Sequence, residues 1–251
     1  MTAVVLAVFL LTGLNFSCKS YPPSFDITQL YSEYNDDIEF VDAGSYVALL
    51  PKTSDTSLTA EAGAAEKGII FYPGGKVEFH SYLPLMTLCA QKGAACFIVK
   101  MPLNYAFMDK KAADKFPALY PDIKTWYLAG HSLGGAMAAS YIADKSDNYE
   151  GLILLAAFST RDLSETNLKV LSIYGSKDGV LNMEKYQEYK SNLPAESADG
   201  DGNGLTEKVI EGGNHAQFAS YGAQKGDQIP DISGEEQQRI TAQTIISWAG
   251  L

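Results

Sequence analysis

Residues 126–139 read WYLAGHSLGGAMAA, and this stretch decides the fold. The apolar run Trp126, Tyr127, Leu128, Ala129 predicts a buried strand, and Leu133 to Ala143 predicts a helix. Gly130-His131-Ser132-Leu133-Gly134 joins them as G-x-S-x-G. A tight strand-to-helix turn needs small residues on either side, because its backbone is strained and neighbouring chains approach closely. Such a turn lifts a serine hydroxyl above the carboxyl edge of a sheet, at a helix N-terminus. A glycine-rich turn with an incidental serine would read the same over five residues, so the surrounding sequence must decide.

Outward from the turn, apolar runs alternate with helix-forming stretches. Strands are predicted at 38–41, 46–50, 68–72, 95–99, 125–129, 151–156, 170–174 and 207–210, and helices at 82–92, 106–116, 133–143, 183–191 and 235–249. Continuous apolar strands separated by helices imply an α/β fold: a single domain with a mostly parallel central sheet and helices on both faces. Residues 1–20 form a hydrophobic N-terminal segment, 21–67 a linker with the first strands, and 68–251 the core. Tyr21 to Asp37, rich in Tyr, Pro and Asp, is expected to be linker or extended chain.

A serine hydroxyl is a poor nucleophile until a neighbouring base takes its proton. The chain offers His80, His131 and His215. His131 adjoins the serine and should point elsewhere, while His80 follows an earlier glycine turn. His215, in Glu211-Gly212-Gly213-Asn214-His215, follows the last predicted strand, where catalytic groups of open α/β sheets collect. A carboxylate must then fix the imidazole tautomer. Asp178, in Tyr174-Gly175-Ser176-Lys177-Asp178-Gly179, stands just past a strand end, and Asp162 is the second candidate. An oxyanion on the substrate's acyl carbon needs preorganised N–H donors. Leu133 is expected to supply one, and Gly75 the other, with Lys76 as the alternative one residue on.

The segments IIFYPGGKV, AGHSLGGAMAA, LSIYGSKDGV and EGGNHAQFASYGAQKGD together resemble the α/β-hydrolase superfamily. The similarity is to its compact dienelactone-hydrolase-like group, α/β-hydrolase fold-5, and spans about Gly68 to Trp248. The resemblance implies Ser132, Asp178 and His215 as a catalytic triad, and a hydrophobic segment ahead of the catalytic domain. It supplies no substrate.

Composition narrows the partners. The 251 residues carry 19 Lys+Arg against 30 Asp+Glu, a net charge of −11, with no basic run beyond Lys110-Lys111. That argues against nucleic acid, which needs clustered positive charge, and against docking on an anionic membrane by charge alone. Cys18, Cys89 and Cys96 give neither metal spacing nor a disulfide framework, and Cys89 and Cys96 read as buried thiols. The loop 198–204 resembles a calcium loop in composition but lacks the closing Glu at the right spacing. Nothing else in the pattern calls for a metal or cofactor. Residues 2–17 are uncharged and mostly aliphatic, which predicts export or membrane association through residues 1–17 with an extracytoplasmic catalytic domain.

The expectation is therefore a serine hydrolase that cleaves an ester or thioester of a small acyl substrate. A non-catalytic binding scaffold, or acyl transfer or peptidase chemistry on the same residues, are the alternatives. The segment between residues 157 and 168 is too short for a large lid, and the loop 214–227, with Phe218 and Tyr221, forms either a pocket wall or a layer on the closing helix.

Overall fold

Every apolar run expected to be a strand is one. The computed structural model describes residues 20–52, 65–196 and 204–251. Segment 1–17, Cys18, residues 53–64 and the 198–203 part of the Gly/Asp loop lie outside them. No helix among the described residues is long and apolar enough to cross a membrane.

The strands are β1 (Ile38–Asp42), β2 (Tyr46–Pro51), β3 (Lys67–Tyr72), β4 (Ala95–Val99), β5 (Thr125–His131), β6 (Gly151–Leu155), β7 (Lys169–Gly175) and β8 (Leu205–Ile210). They form one sheet in the order β1-β2-β4-β3-β5-β6-β7-β8. β1 and β2 pair antiparallel, β2 pairs antiparallel with β4, and all later pairings are parallel. From β3 the chain steps outward to β4 and then returns to the other side of β3 as β5. The order reverses between β3 and β5, and a crevice opens at such a switch point beyond the carboxyl ends of the strands. The two glycine turns follow these two strands.

Side chains alternate across the sheet, so runs with no polar gap need cover on both faces. Ile69, Phe71, Ile98, Ala129, Ile153 and Ile173 pack on one side, against helices α2 (Leu83–Ala90) and α6 (Gly234–Ala249). Ile70, Tyr72, Phe97, Leu128, Leu152 and Val170 pack on the other, against α4 (Leu133–Ile142) and Phe116 of the short α3 (Phe116–Leu119). Cys89 and Cys96 are buried in the first layer and unbridged.

Two expectations fail. Residues 27–34, taken for linker, form helix α1 (Ile27–Tyr34), whose first turn is capped by the Asp26 carboxylate at Thr28 N (2.8 Å) and Gln29 N (3.1 Å). Residues 106–116 are not one helix but a series of 3₁₀ turns at 102–104, 106–108 and 112–115 ahead of α3. The cause is Tyr72, whose hydroxyl donates to the Lys110 carbonyl (2.7 Å) and accepts from Ala113 N (3.0 Å). These are the backbone groups a continuous helix would have paired internally. The remaining helix, α5 (Met183–Tyr189), agrees with the reading and is capped by Asn182 at Lys185 N (2.9 Å).

Candidate active site

Ser132 stands at the turn between β5 and α4, here called the elbow, with φ 53° and ψ −122°, a conformation that costs a non-glycine residue energy and that surrounding contacts must hold. Its N–H donates to the Leu155 carbonyl (2.8 Å) on β6, and its own carbonyl receives Ala136 N (3.1 Å). The glycines on either side are required by contact. A Cβ on Gly134 would lie 2.1 Å from the Tyr72 carbonyl oxygen, and one on Gly130 would lie 2.6 Å from the Gly134 backbone. The serine is half-buried.

His215 follows β8 and is 1% exposed. Its Nδ1 lies 2.9 Å from Asp178 Oδ2, while Asp178 Oδ1 accepts the N–H groups of Val180 (2.8 Å) and Leu181 (2.7 Å). With both carboxylate oxygens engaged and the side chains almost wholly buried, a neutral His215 has one arrangement: Nδ1–H donates to Asp178, and Nε2 is left to act as acceptor. That Nε2 is buried and has no hydrogen-bond partner among the described residues. The structure thus brings together Asp178 and His215 and sets them beside the elbow, where the His131 and His215 rings lie 4.6 Å apart. No hydrogen bond joins Ser132 to His215 among the described residues.

Asp162 lies elsewhere, exposed and bonded to Ser164 N (3.0 Å) and Ser164 Oγ (2.7 Å). His80 also lies elsewhere, with Nδ1 3.0 Å from Glu78 Oε1.

On the β3 side, Gly75 abuts the elbow: a Cβ there would lie 3.0 Å from Leu133 Cδ2. Lys76 N–H, the alternative donor, is already committed to the Asn104 carbonyl (2.9 Å). The N–H groups of Gly75 and Leu133 donate to no group among the described residues. Loop 101–108, which holds that Asn104 carbonyl, carries two exposed apolar side chains, Leu103 at 77% and Met108 at 50%. Loop 214–227 is instead a layer on the closing helix: Phe218 is fully buried, and Gln238 Nε2 on α6 donates to the Gln217 carbonyl (3.3 Å) and Ser220 Oγ (3.1 Å). A groove of about 1270 Å³ along Phe25, Leu30 and Leu88 runs beside that loop from Asn214 to Asp227, and neither Ser132 nor His215 lines it.

Sequence reasoning missed the part His131 plays. Its Nδ1 lies 2.8 Å from the Tyr82 hydroxyl, which also accepts Gly74 N–H (2.8 Å). Burial holds Tyr82 protonated, and its hydroxyl, hydrogen-bonded to both, ties the Gly74 turn to His131. Burial, and then the electrostatic effect of the neighbouring His215, push His131 well below the usual imidazole range. The unfolded chain therefore binds a proton at His131 below about pH 6.5 while the folded chain does not. The stability tied to this residue is complete above that pH and declines as pH falls below it. Thermal melts between about pH 7 and 5 should show a smaller acid-side loss of Tm in His131→Asn than in the wild type. An equal loss would show that His131 is not the group responsible.

The family model described as "Alpha/beta hydrolase family" matches residues 68–239. Among solved structures, a predicted CIB-like hydrolase from Thermoplasma acidophilum superposes with TM-score 0.52 at 18% identity, covering 84% of this chain and 97% of that one. An alpha/beta hydrolase enzyme from a lagoon-sediment metagenome from Mar Chica, Morocco, gives TM-score 0.57 at 14% identity, over 83% and 98%. An esterase from Mycobacterium tuberculosis gives 0.56 at 13%, over 91% and 99%. No curated protein matches the sequence.

Proposed function

Since the chain belongs to the alpha/beta hydrolase family, we propose that it is a serine hydrolase cleaving an ester or thioester bond of a small substrate. The observation that carries this is His215: Asp178 holds it through Nδ1, and its Nε2 is buried without a partner beside the elbow. In this reading Ser132 Oγ attacks the acyl carbon and His215 Nε2 takes its proton. The Gly75 and Leu133 N–H groups receive the oxyanion, in a setting where no reorganisation is needed. Collapse of the tetrahedral intermediate expels the alcohol or thiol, protonated by His215, and leaves an acyl-Ser132 ester. Water, deprotonated by the same imidazole, then releases the acid. On the same reading, residues 1–17 export the enzyme or anchor it at a membrane, a role supported by their uncharged aliphatic run.

The site should prefer short acyl groups. Only residues 156–168 separate β6 from β7, so no large lid is inserted there, and in the loop whose Asn104 carbonyl meets the Gly75 turn, Leu103 and Met108 are exposed. Methylenes beyond a shallow pocket stay in water and gain none of the ~0.8 kcal/mol available per buried CH₂. Across esters from acetate to palmitate, kcat/KM is expected to peak at short chains of about two to six carbons, with no rise at a lipid interface. Palmitate winning, and only when residues 1–20 are present, would make the enzyme a membrane-surface lipase instead.

A further inference from the structure

Loop 219–232 reaches across to the Asp178 turn and places one carboxylate between the two residues that the proposed reaction needs in register. Asp227 Oδ1 accepts Gly179 N–H (3.0 Å), directly after Asp178, and Oδ2 accepts Ala216 N–H (2.8 Å), directly after His215. Asp178 and His215 sit on separate loops after separate strands, β7 and β8, so their 2.9 Å bond depends on how those loops are held together. The packing at this bridge is tight. A Cβ on Gly179 would lie 2.6 Å from the Gly226 carbonyl oxygen and 3.1 Å from Asp227 Cα. On the other side of His215, Asn214 is held by fully buried Gln237 of α6, whose amide accepts Asn214 N–H (2.9 Å) and donates to the Asn214 carbonyl (2.7 Å). His215 is thus clamped from both neighbours. The two loops also meet upstream, through Lys177 N–H on the Gly213 carbonyl (2.8 Å) and Gly212 N–H on Ser176 Oγ (2.9 Å), but Asp227 joins the residue after the acid to the residue after the base.

We infer that Asp227 is a positioning residue for the His215–Asp178 pair: its carboxylate fixes the acid loop and the base loop relative to each other. This rests on the hydrolase reading above. Charge-assisted bonds from a carboxylate to backbone N–H groups are stronger than neutral ones. Asparagine at 227 keeps one of the two bonds and turns an NH₂ toward the other N–H, and alanine loses both. A nearby contrast exists in Asp231, which also links the loops through an ion pair to Lys177 (3.2 Å) that is exposed and therefore contributes little.

The test measures kcat and KM on a short-chain ester together with the far-downfield proton resonance of the His215 Nδ1–H. For Asp227→Ala, kcat is expected to fall by about 10²-fold with KM little changed, the scale of loss that misplacing a catalytic group produces. The resonance should shift or broaden away, Asp227→Asn should lie between, and Asp231→Asn should match the wild type. A folded Asp227→Ala protein with wild-type kcat overturns the inference, as does a fall in kcat with the resonance unchanged. Should the alanine variant not fold, the near-isosteric Asp227→Asn decides on the same two readouts. A wild type that turns over no ester would remove the hydrolase reading and still leave the resonance to judge Asp227.

Discussion

Ser132→Ala is expected to leave a folded protein whose turnover of a short-chain ester is lower by about 10⁶-fold, the scale seen when the nucleophile of a serine protease is removed. The fold should survive for a local reason. The bonds that hold the elbow run through the Ser132 backbone, to Leu155 and from Ala136, and alanine keeps them. The strain at φ 53° is common to both residues, since each carries one Cβ. Circular dichroism and thermal melting should therefore match the wild type while activity disappears. Normal turnover by the folded variant would remove Ser132 from the reaction.

Asp178→Asn is expected to cost about 10⁴-fold in kcat, again with the fold intact. Here the geometry predicts the mechanism of the loss. Val180 and Leu181 N–H groups both point at Oδ1, so the asparagine carbonyl oxygen must occupy that position and the NH₂ must face His215. His215 Nδ1 would then accept, placing the proton on Nε2, the atom that has to receive the serine proton. Nitrogen-15 chemical shifts of His215 would report the exchanged tautomer directly. A variant with wild-type kcat would shift the search for the acid elsewhere.

The strands were legible because each is a short apolar run bounded by turn residues, and cover on both faces removes the polar alternation that would otherwise blur helix and strand. The serine turn, the acid turn and the histidine loop were legible because glycine and aspartate cluster where the chain leaves a strand. What escaped depends on contacts between distant residues. Tyr72 interrupts the helix expected at 106–116 from a strand more than thirty positions earlier, and nothing in the local sequence announces it. That the Lys76 N–H is taken by the Asn104 carbonyl was likewise invisible in the sequence. Helix α1 was findable: Asp26 as a cap, followed by Ile27, Leu30, Tyr31 and Tyr34 at helical spacing, is a signal that the neighbouring prolines obscured. His131 and Asp227 had no signal beyond their presence in glycine-rich segments, because what they hold lies across the fold.

If Ser132 is a nucleophile activated by His215, it should be open to covalent labelling. The full chain treated with a fluorophosphonate and digested should show one modified peptide by mass spectrometry, with the adduct on Ser132. Labelling should be lost in Ser132→Ala and greatly slowed in His215→Ala. No adduct on the folded wild type, or an adduct on another residue with Ser132 unmodified, would remove Ser132 as the nucleophile.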